Sequence, residues 1–453
     1  MKVAKPIVEF LVRQALSSSI PMVQRFTRSA LDRHITKELD TLPAPSRDFM
    51  KRLMTHGIRT IQESSRNCRR KAVENFIINQ IFLRHEKALA FEAEHGFRPP
   101  QLIVISPSMR CNLKCYGCYA GSYAKKDDLP FEVFNRVIEE GKAMGIHFVV
   151  ISGGEPFISA DLLPTLERQG DVYFQIYTNG TLIDEAMADE LARLGNAVPV
   201  ISVEGFEEWT DERRGTGTFK KVLAAMRHLR ERGVPFGISV TVTRENNEFV
   251  VGDEFVRFWC DQGAWLAWYF NYVPIGLDPD ASLMPTPEQR KWRRRQFERV
   301  RAEVPMLMAD FWNDGILTGG CMAGGRLYLH VNCKGDVEPC VFVHFAVDNV
   351  KDKSLLECLK SPLFERIRSR IPYDGDLSRP CMIVDHPHEL REHVVETGAV
   401  PTHPGADSVT TVLADALDEY AAEYARVCDP VIHPRFRDRY PDRQPEPVQH
   451  AMS

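Results

Sequence analysis

The stretch that decides the fold is CNLKCYGC, residues 111–118, in which Cys111, Cys115 and Cys118 stand four and three positions apart. Thiolates at this spacing on one short loop can face a single metal centre, and a set of three leaves one coordination position vacant. A structural zinc site normally takes four protein ligands, whereas an open iron or zinc site is reactive. Spacing alone does not name the metal, so an iron–sulfur cluster, part of a zinc site and three unrelated buried thiols all remain open.

The segments around this run alternate between strand and helix. QLIVISPS, residues 101–108, predicts a buried strand that leads into the cysteines, and apolar residues three and four apart predict a helix over 131–145. Further strands are predicted over 147–151, 171–177, 197–203, 236–242 and 264–272, with helices over 182–194, 218–232 and 249–260 between them. These six strand–helix units predict an α/β fold with a parallel sheet and helices outside it.

Residues suited to a binding site follow the predicted strands. The cysteine loop follows the first strand, Gly-Gly-Glu-Pro at 153–156 the second and Thr-Asn-Gly at 178–180 the third, while Ser202 and Glu204 end the fourth. The loops after parallel strands meet at one rim of a curved sheet, which is where such folds carry their sites. We therefore expect these loops to converge.

The three cysteines, Gly-Gly-Glu-Pro and the strand–helix order together resemble the radical S-adenosylmethionine (SAM) enzymes. The resemblance implies a partial (β/α)6 barrel, assigned to residues 98–300, in which Cys111, Cys115 and Cys118 hold a 4Fe–4S cluster. It also implies that SAM chelates the fourth iron and that its cleavage gives a 5'-deoxyadenosyl radical, which abstracts hydrogen from a substrate. An electron donor such as flavodoxin or ferredoxin is then a further expected partner.

The resemblance also assigns cofactor contacts, although no catalytic residue. Gly153 and Gly154 would let the backbone approach the methionyl amino group, and Glu155 with Pro156 would fix that turn. Contacts to the ribose hydroxyls or to the methionyl part are assigned to Ser202 and Glu204. An aromatic residue commonly precedes the third cysteine in this family, but this chain has Gly117 there and Tyr116 one position earlier. Tyr116 is therefore the candidate for the adenine contact.

A second group of cysteines lies beyond the predicted barrel. Thirteen residues separate Cys321 from Gly335 and four separate Gly335 from Cys340, with a turn between apolar segments that predicts a hairpin. This resembles the first half of a SPASM domain, in which radical SAM enzymes bind auxiliary 4Fe–4S clusters. We expect a reduced, twitch-like version over residues 301–395, with Cys381 as a third ligand and Cys333 as a candidate fourth.

Composition and charge suggest where the protein is located and which surfaces it contacts. Eleven cysteines in 453 residues, with no secretion signal, favour a cytoplasmic protein. The segment 1–97 is predicted to be a basic helical extension, and the apolar face within residues 2–15 either packs on the protein or contacts an anionic membrane surface peripherally. Residues 396–453 are predicted to form a helix and, from 429, a disordered tail. No nucleic-acid partner is predicted, because no basic patch interleaved with aromatic residues is present.

The sequence leaves alternatives at two levels. A non-catalytic iron–sulfur electron carrier and a structural zinc protein compete with the enzyme, although Gly-Gly-Glu-Pro after the second strand disfavours the carrier. Within the enzyme class, a peptide substrate is suggested by SPASM-type relatives, and a lipid by the basic N-terminal segment. The choice between oxidoreductase and transferase stays open.

Overall fold

The computed structural model describes residues 44–439, so the amphipathic segment 2–15 lies outside the described residues. The described part of the N-terminal extension is helical, as predicted. It consists of α1 (Ala44–Glu63), α2 (Arg66–Lys71), a π-helical stretch (Ala72–Leu83) and α3 (Arg84–His95). Within residues 44–439, no helix is long and apolar enough to cross a membrane.

One twisted sheet organises the rest of the chain. Its parallel strands are β1 (Leu102–Ile105), β2 (Phe148–Ile151), β3 (Tyr173–Thr178), β4 (Ala197–Val203), β5 (Gly237–Val242), β6 (Leu266–Asn271), β7 (Leu307–Asp310) and β8 (Tyr328–Val331). A short antiparallel strand, β9 (Val337–Glu338), follows β8, and the spatial order is β7-β6-β5-β4-β3-β2-β1-β8-β9. The α/β fold with a parallel sheet is thereby confirmed.

Helices connect successive strands. They are α4 (Phe131–Ala143), α5 (Leu162–Arg168), α6 (Glu185–Leu194), α7 (Glu207–Arg214), α8 (Thr218–Glu231), α9 (Asp253–Gln262) and α10 (Pro287–Glu303). The predicted helix over 249–260 begins instead with a 3-10 turn, and α9 starts at Asp253 after Gly252. Glycine disfavours the helix interior, which explains the later start.

Two strands extend the sheet beyond the six predicted units. The first, β7, pairs with β6, and the second, β8, pairs with β1 in parallel, so that Leu102 lies opposite Tyr328. Both strands fall within the segment assigned to the auxiliary domain. The predicted hairpin is present as β8 and β9, but its first strand also belongs to the barrel sheet.

The N-terminal helices close the amino end of the sheet. Asn75 donates hydrogen bonds to the backbone carbonyls of Gly170 and Val172, at 3.0 and 2.9 Å, just before β3 begins. The Phe76 ring packs edge-on against Phe148 at the start of β2, with 5.3 Å between the ring centroids. The barrel is therefore plugged at the end opposite the cysteine loop.

The C-terminal side consists of short elements around the second cysteine group. These are α11 (Gly315–Thr318), β10 (Phe345–Ala346), α12 (Leu355–Leu359), α13 (Pro362–Arg370), α14 (Pro387–Thr397), β11 (Val400–Pro401) and α15 (Ala414–Val427). α15 packs on α10, where the Arg290 guanidinium lies 3.9 Å from the centre of the Tyr424 ring and pairs with Asp385 in the interior.

The segment predicted to be a disordered tail needs a correction in its first part. The Val431 N–H donates to Asp376 Oδ1 at 2.9 Å, and the Val431 carbonyl accepts from Leu377 N–H at 2.8 Å. Residues 434–439 then form a 3-10 turn. These backbone bonds to a distant loop, which composition does not reveal, order residues 429–439. The tail from residue 440 lies outside the described residues.

Candidate functional site

A large cleft opens at the carboxyl ends of the strands, where the sequence placed the site. It encloses about 1410 Å³ of space not filled by protein atoms, its open mouth included. Cys111, Cys115 and Cys118 all line it, together with Gly153 and Gly154 from the loop after β2. Thr178, Asn179 and Ser202 also line it, so the expected convergence of the loops after the first four strands is present.

The two glycines after β2 are required by the close approach of the cysteine loop. A Cβ on Gly154 would lie 2.1 Å from the carbonyl oxygen of Arg110, and one on Gly153 would lie 2.4 Å from that of Ser108. Gly153 also has a φ of +111°, which side chains disfavour. The glycines thus let the backbone after β2 lie directly against the residues that precede Cys111.

Glu155 connects two loops of the rim. Its buried carboxylate accepts hydrogen bonds from the Thr178 hydroxyl at 2.8 Å and from the Asn179 N–H at 2.7 Å, and Pro156 continues into a 3-10 turn. Burial raises the pKa of this carboxyl, although the donated hydrogen bonds oppose the shift. Glu155 therefore fixes the turn, while its oxygens face the loop after β3 rather than the cleft.

Glu204 holds two arginines that sequence reasoning did not identify. Its carboxylate is buried and pairs with Arg213 at 2.8 Å and with Arg214 at 2.5 Å, both from the last turn of α7. Both guanidinium groups line the cleft, whereas Glu204 does not. Arg213 also donates to the carbonyls of Tyr116 and Gly117 in the cysteine loop. The Arg-Arg pair at 213–214, which begins ten residues after the end of β4, was the only signal in the sequence.

Two further residues were predicted to contact SAM; one lies in the cleft and the other at the surface. Ser202 lines the cleft, with its hydroxyl 3.1 Å from that of Ser239 on β5. Tyr116 is 40% exposed, lies beside the Arg213 guanidinium and does not line the cleft. The space beside Gly117 is occupied by the ring of Tyr272, a residue that follows β6. A Cβ on Gly117 would lie 2.5 Å from this ring.

The cysteine loop has features that suit an iron–sulfur cluster. Burial raises the pKa of the Cys111 and Cys115 thiols, and repulsion between neighbouring thiolates adds to this effect, so the thiols lie within electrostatic reach of one another. The Leu113 N–H lies 3.4 Å from the Cys111 sulfur as a hydrogen-bond donor. The thiolates of a 4Fe–4S cluster each bind a different iron, so the donor set fits a cluster.

The second cysteine group forms a pocket of its own. Cys321, Cys340 and Cys381 line a space of about 470 Å³ whose other walls are largely apolar, including Trp312 and Ile383. The Tyr328 hydroxyl donates to the Cys340 sulfur at 2.8 Å, and the backbone N–H of Ile383 donates to the Cys381 sulfur at 3.3 Å. Three convergent thiols with hydrogen-bond donors to sulfur suit an iron–sulfur cluster.

Cys333 is not brought together with these three cysteines. It is fully buried beside Met109, Ala120 and Tyr123, on the far side of the hairpin, and burial raises the pKa of its thiol to about 12. Cys333 lies in the turn between β8 and β9 and is therefore close to Cys340 along the sequence. The side chain points instead towards the cysteine loop of the barrel.

The two pockets share a wall. Phe311, Met322, Tyr328 and Phe342 line both the cleft and the second cysteine pocket. The rings of Phe342 and Phe311 are 6.1 Å apart, and those of Phe342 and Phe270 are 6.0 Å apart. One layer of side chains therefore separates the two cavities.

Comparison with known proteins agrees with this arrangement. The sequence profile of the radical SAM superfamily matches residues 105–251, and the SPASM profile, an iron–sulfur cluster-binding domain, matches residues 321–389. Mycofactocin maturase MftC of Mycobacterium tuberculosis is 30% identical over 298 residues, which are 59% of this chain and 75% of that protein. PqqA peptide cyclase of Gluconobacter oxydans is 28% identical over 60% of this chain and 79% of its own length.

A further relative matches a shorter part of the chain, and one solved structure has a similar fold. Fe-coproporphyrin III synthase of Methanosarcina barkeri is 35% identical, but over only 32% of this chain and 38% of that relative. Among solved structures, Streptococcus suis SuiB bound to S-adenosylmethionine has a TM-score of 0.53 at 24% identity, covering 63% of this chain and 71% of SuiB, and supports the fold. The chain belongs to the radical SAM superfamily and carries a SPASM domain on its C-terminal side.

Proposed function

We propose that Cys111, Cys115 and Cys118 hold the 4Fe–4S cluster at which this radical SAM enzyme cleaves SAM. The observation that carries the proposal is that these three thiols and the loops after β2, β3 and β4 line one cleft. A reduced cluster held by these three cysteines would supply the electron for reductive cleavage of SAM, which would give methionine and a 5'-deoxyadenosyl radical able to remove hydrogen from the substrate.

The chain's own residues would position SAM in this cleft. Among the described lining residues, the guanidinium groups of Arg213 and Arg214 are the permanently charged side chains, and Glu204 offsets one of the two positive charges. The remaining positive charge would attract the methionyl carboxylate. Glu204 is then a positioning residue, and Gly153 with Gly154 supplies backbone next to the cysteines. Ser202 is the hydroxyl candidate for a ribose contact.

We further propose an auxiliary 4Fe–4S cluster on Cys321, Cys340 and Cys381. The support is the common pocket of these thiols and the donors to their sulfurs. Cys333 is left out of this ligand set, because it lies in a different cluster of side chains. No fourth cysteine lines the pocket among the described residues, so the fourth iron would take a ligand other than cysteine.

Anaerobic reconstitution of wild type and three variants tests both assignments. Wild type is expected to bind about eight irons, and alanine variants of either cysteine triad about four, since each 4Fe–4S cluster holds four. Only proteins with Cys111, Cys115 and Cys118 should form 5'-deoxyadenosine from SAM and dithionite. Cys333→Ala is the matched control and should keep eight irons. Full iron content in the Cys111/Cys115/Cys118 variant would contradict the proposal.

The substrate is not selected by the names of the relatives. One relative is named for a peptide and another for Fe-coproporphyrin III. The peptide alternative has the support of the PqqA peptide cyclase, which matches 60% of this chain, against 32% for the Fe-coproporphyrin III synthase.

A further inference from the structure

The loop after β3 carries an asparagine, Asn179, that lies against the cysteine loop. Asn179 lines the cleft but is only 6% exposed, so its polar groups need partners within the protein. Its backbone N–H donates to Glu155 Oε2 at 2.7 Å, which ties it to the turn after β2. The main chain at Asn179 is thereby fixed, and its side chain extends towards the loop that carries Cys111.

The orientation of the Asn179 amide follows from its partners. Its Oδ1 accepts hydrogen bonds from the Thr181 N–H at 2.9 Å and from the Thr181 hydroxyl at 2.7 Å. A backbone N–H can only donate, so the atom that faces it must be the amide oxygen and not the nitrogen. The Nδ2 group, which has two hydrogens to donate, consequently faces the cysteine loop.

Three side chains form a closed ring of hydrogen bonds between these two loops. Asn179 Nδ2 donates to Asn112 Oδ1 at 2.9 Å, and Asn112 Nδ2 donates to the Thr181 hydroxyl at 2.8 Å. That hydroxyl donates in turn to Asn179 Oδ1, which closes the ring. Asn112 directly follows Cys111 in the chain, so the ring holds the neighbour of a candidate cluster ligand against the loop after β3.

The second hydrogen of the Asn179 amide is available to the Cys111 sulfur. Nδ2 lies 3.9 Å from Cys111 Sγ, at the long end of the range for an N–H···S hydrogen bond. The Leu113 N–H donates to the same sulfur at 3.4 Å. Within the described part of the chain, the Cys115 and Cys118 sulfurs accept no hydrogen bond, so the donors converge on Cys111.

We propose that Asn179 is a positioning residue of the SAM-cleaving cluster, which donates from Nδ2 to the Cys111 sulfur and thereby raises the reduction potential of that cluster. The inference rests on the proposed 4Fe–4S cluster at Cys111, Cys115 and Cys118. A thiolate bound to iron carries negative charge and is a stronger acceptor than a thiol. Its charge grows when the cluster gains an electron, so the hydrogen bond stabilises the reduced state that cleaves SAM.

The reduction potential of Asn179→Ala tests this inference. In the reconstituted holoenzyme, the SAM-cleaving cluster is recognised by the change in its EPR signal when SAM is added, and its reduced fraction is then followed in a redox titration without SAM. We expect a lower midpoint potential, with a ratio of reduced to oxidised cluster about fivefold smaller at a fixed potential, the usual net contribution of one hydrogen bond. An unchanged midpoint would overturn the inference.

Thr181→Val is the matched control, because it breaks the ring but leaves the donor to sulfur in place. It removes the Thr181 hydroxyl and keeps the Thr181 N–H bonded to Asn179 Oδ1, with a side chain of the same shape. Its midpoint potential should equal that of wild type. An equal fall in both variants would leave Asn179 a structural role alone and would also overturn the inference.

A second variant covers the case in which Asn179→Ala loses iron or fails to fold, as shown by circular dichroism. Asn179→Asp has the same shape, removes the donor and adds negative charge beside Cys111, so its midpoint should also be lower than that of wild type. A midpoint at or above that of wild type would count against the inference.

Iron analysis separates this inference from the proposed function. Full iron content in the Cys111/Cys115/Cys118 alanine variant would refute the function itself. If that variant loses four irons and wild type cleaves SAM, while Asn179→Ala has the midpoint of wild type, the role of Asn179 alone is refuted.

Discussion

Replacement of Gly154 by alanine isolates the steric requirement at the rim. The backbone of Gly154 does not have a positive φ, so alanine introduces no conformational strain there. Its Cβ would lie 2.1 Å from the carbonyl oxygen of Arg110 and 2.6 Å from the carbonyl carbon, whereas Cβ contacts below 3.0 Å are essentially never observed. One of the two backbone segments must therefore move by about 1 Å.

The movement reaches the candidate cluster ligands directly, because Arg110 precedes Cys111. Overpacking of this kind costs about 1–3 kcal/mol of folding free energy. A displacement of about 1 Å in a positioned site costs on the order of 100-fold in rate. We expect Gly154→Ala to form 5'-deoxyadenosine about 100-fold more slowly than wild type, and to bind SAM more weakly.

Gly57→Ala is the matched control for this prediction. Gly57 lies within α1, and a Cβ there would meet nothing within 4 Å, so the change should preserve activity and stabilise the helix by about 0.5–1 kcal/mol. Both variants are reconstituted anaerobically and compared in iron content, SAM affinity and rate of 5'-deoxyadenosine formation. Equal rates for Gly154→Ala and Gly57→Ala would refute the steric reasoning.

Three further substitutions test Glu204, Tyr328 and the buried His344, which packs beside Tyr123. Glu204→Gln leaves two buried arginines without their carboxylate, so chemical denaturation should give a free energy of unfolding lower by about 3–5 kcal/mol. Burial lowers the pKa of His344 to about 4, so the unfolded chain takes up a proton near pH 6.5 that the folded protein does not. Stability should therefore fall by up to about 3 kcal/mol between pH 6.5 and 4, and His344→Gln should flatten this dependence in denaturation curves. Tyr328→Phe removes the hydrogen bond to the Cys340 sulfur and should lower the potential of the auxiliary cluster in a redox titration, since such bonds favour the reduced state.

The strands and the cysteine loop could be predicted from the sequence because their signals are local. The fourth strand is observed over 197–203, as predicted, and its apolar run is bounded by Gly195 on one side and Gly205 on the other. The rim loops could be grouped because the topology of a parallel sheet brings all strand ends to one side. This grouping requires no knowledge of individual contacts.

Contacts between distant segments could not be predicted in this way. The Arg213 guanidinium reaches the carbonyl of Tyr116, 97 positions away, and the Glu155 carboxylate is taken by Thr178 on the next strand. Cys333 is a further example of a contact that sequence spacing does not predict. Its spacing from Cys340 suggested a shared cluster, but the pairing of β8 with β9 turns its side chain away from the second cysteine pocket. Spacing along the chain ranks candidate ligands, but strand pairing decides which of them meet.

The pairing of β8 links the two candidate cluster sites structurally. This strand pairs with β1 on one side and with β9 on the other, and its residue Tyr328 lines both pockets. The auxiliary pocket therefore shares a wall with the cleft, and backbone hydrogen bonds of β8 join this wall to β1. Alanine replacement of Cys321, Cys340 and Cys381 should then weaken binding of SAM as well as remove iron. Unchanged SAM affinity after loss of the auxiliary iron would show that this wall keeps its shape without a cluster behind it.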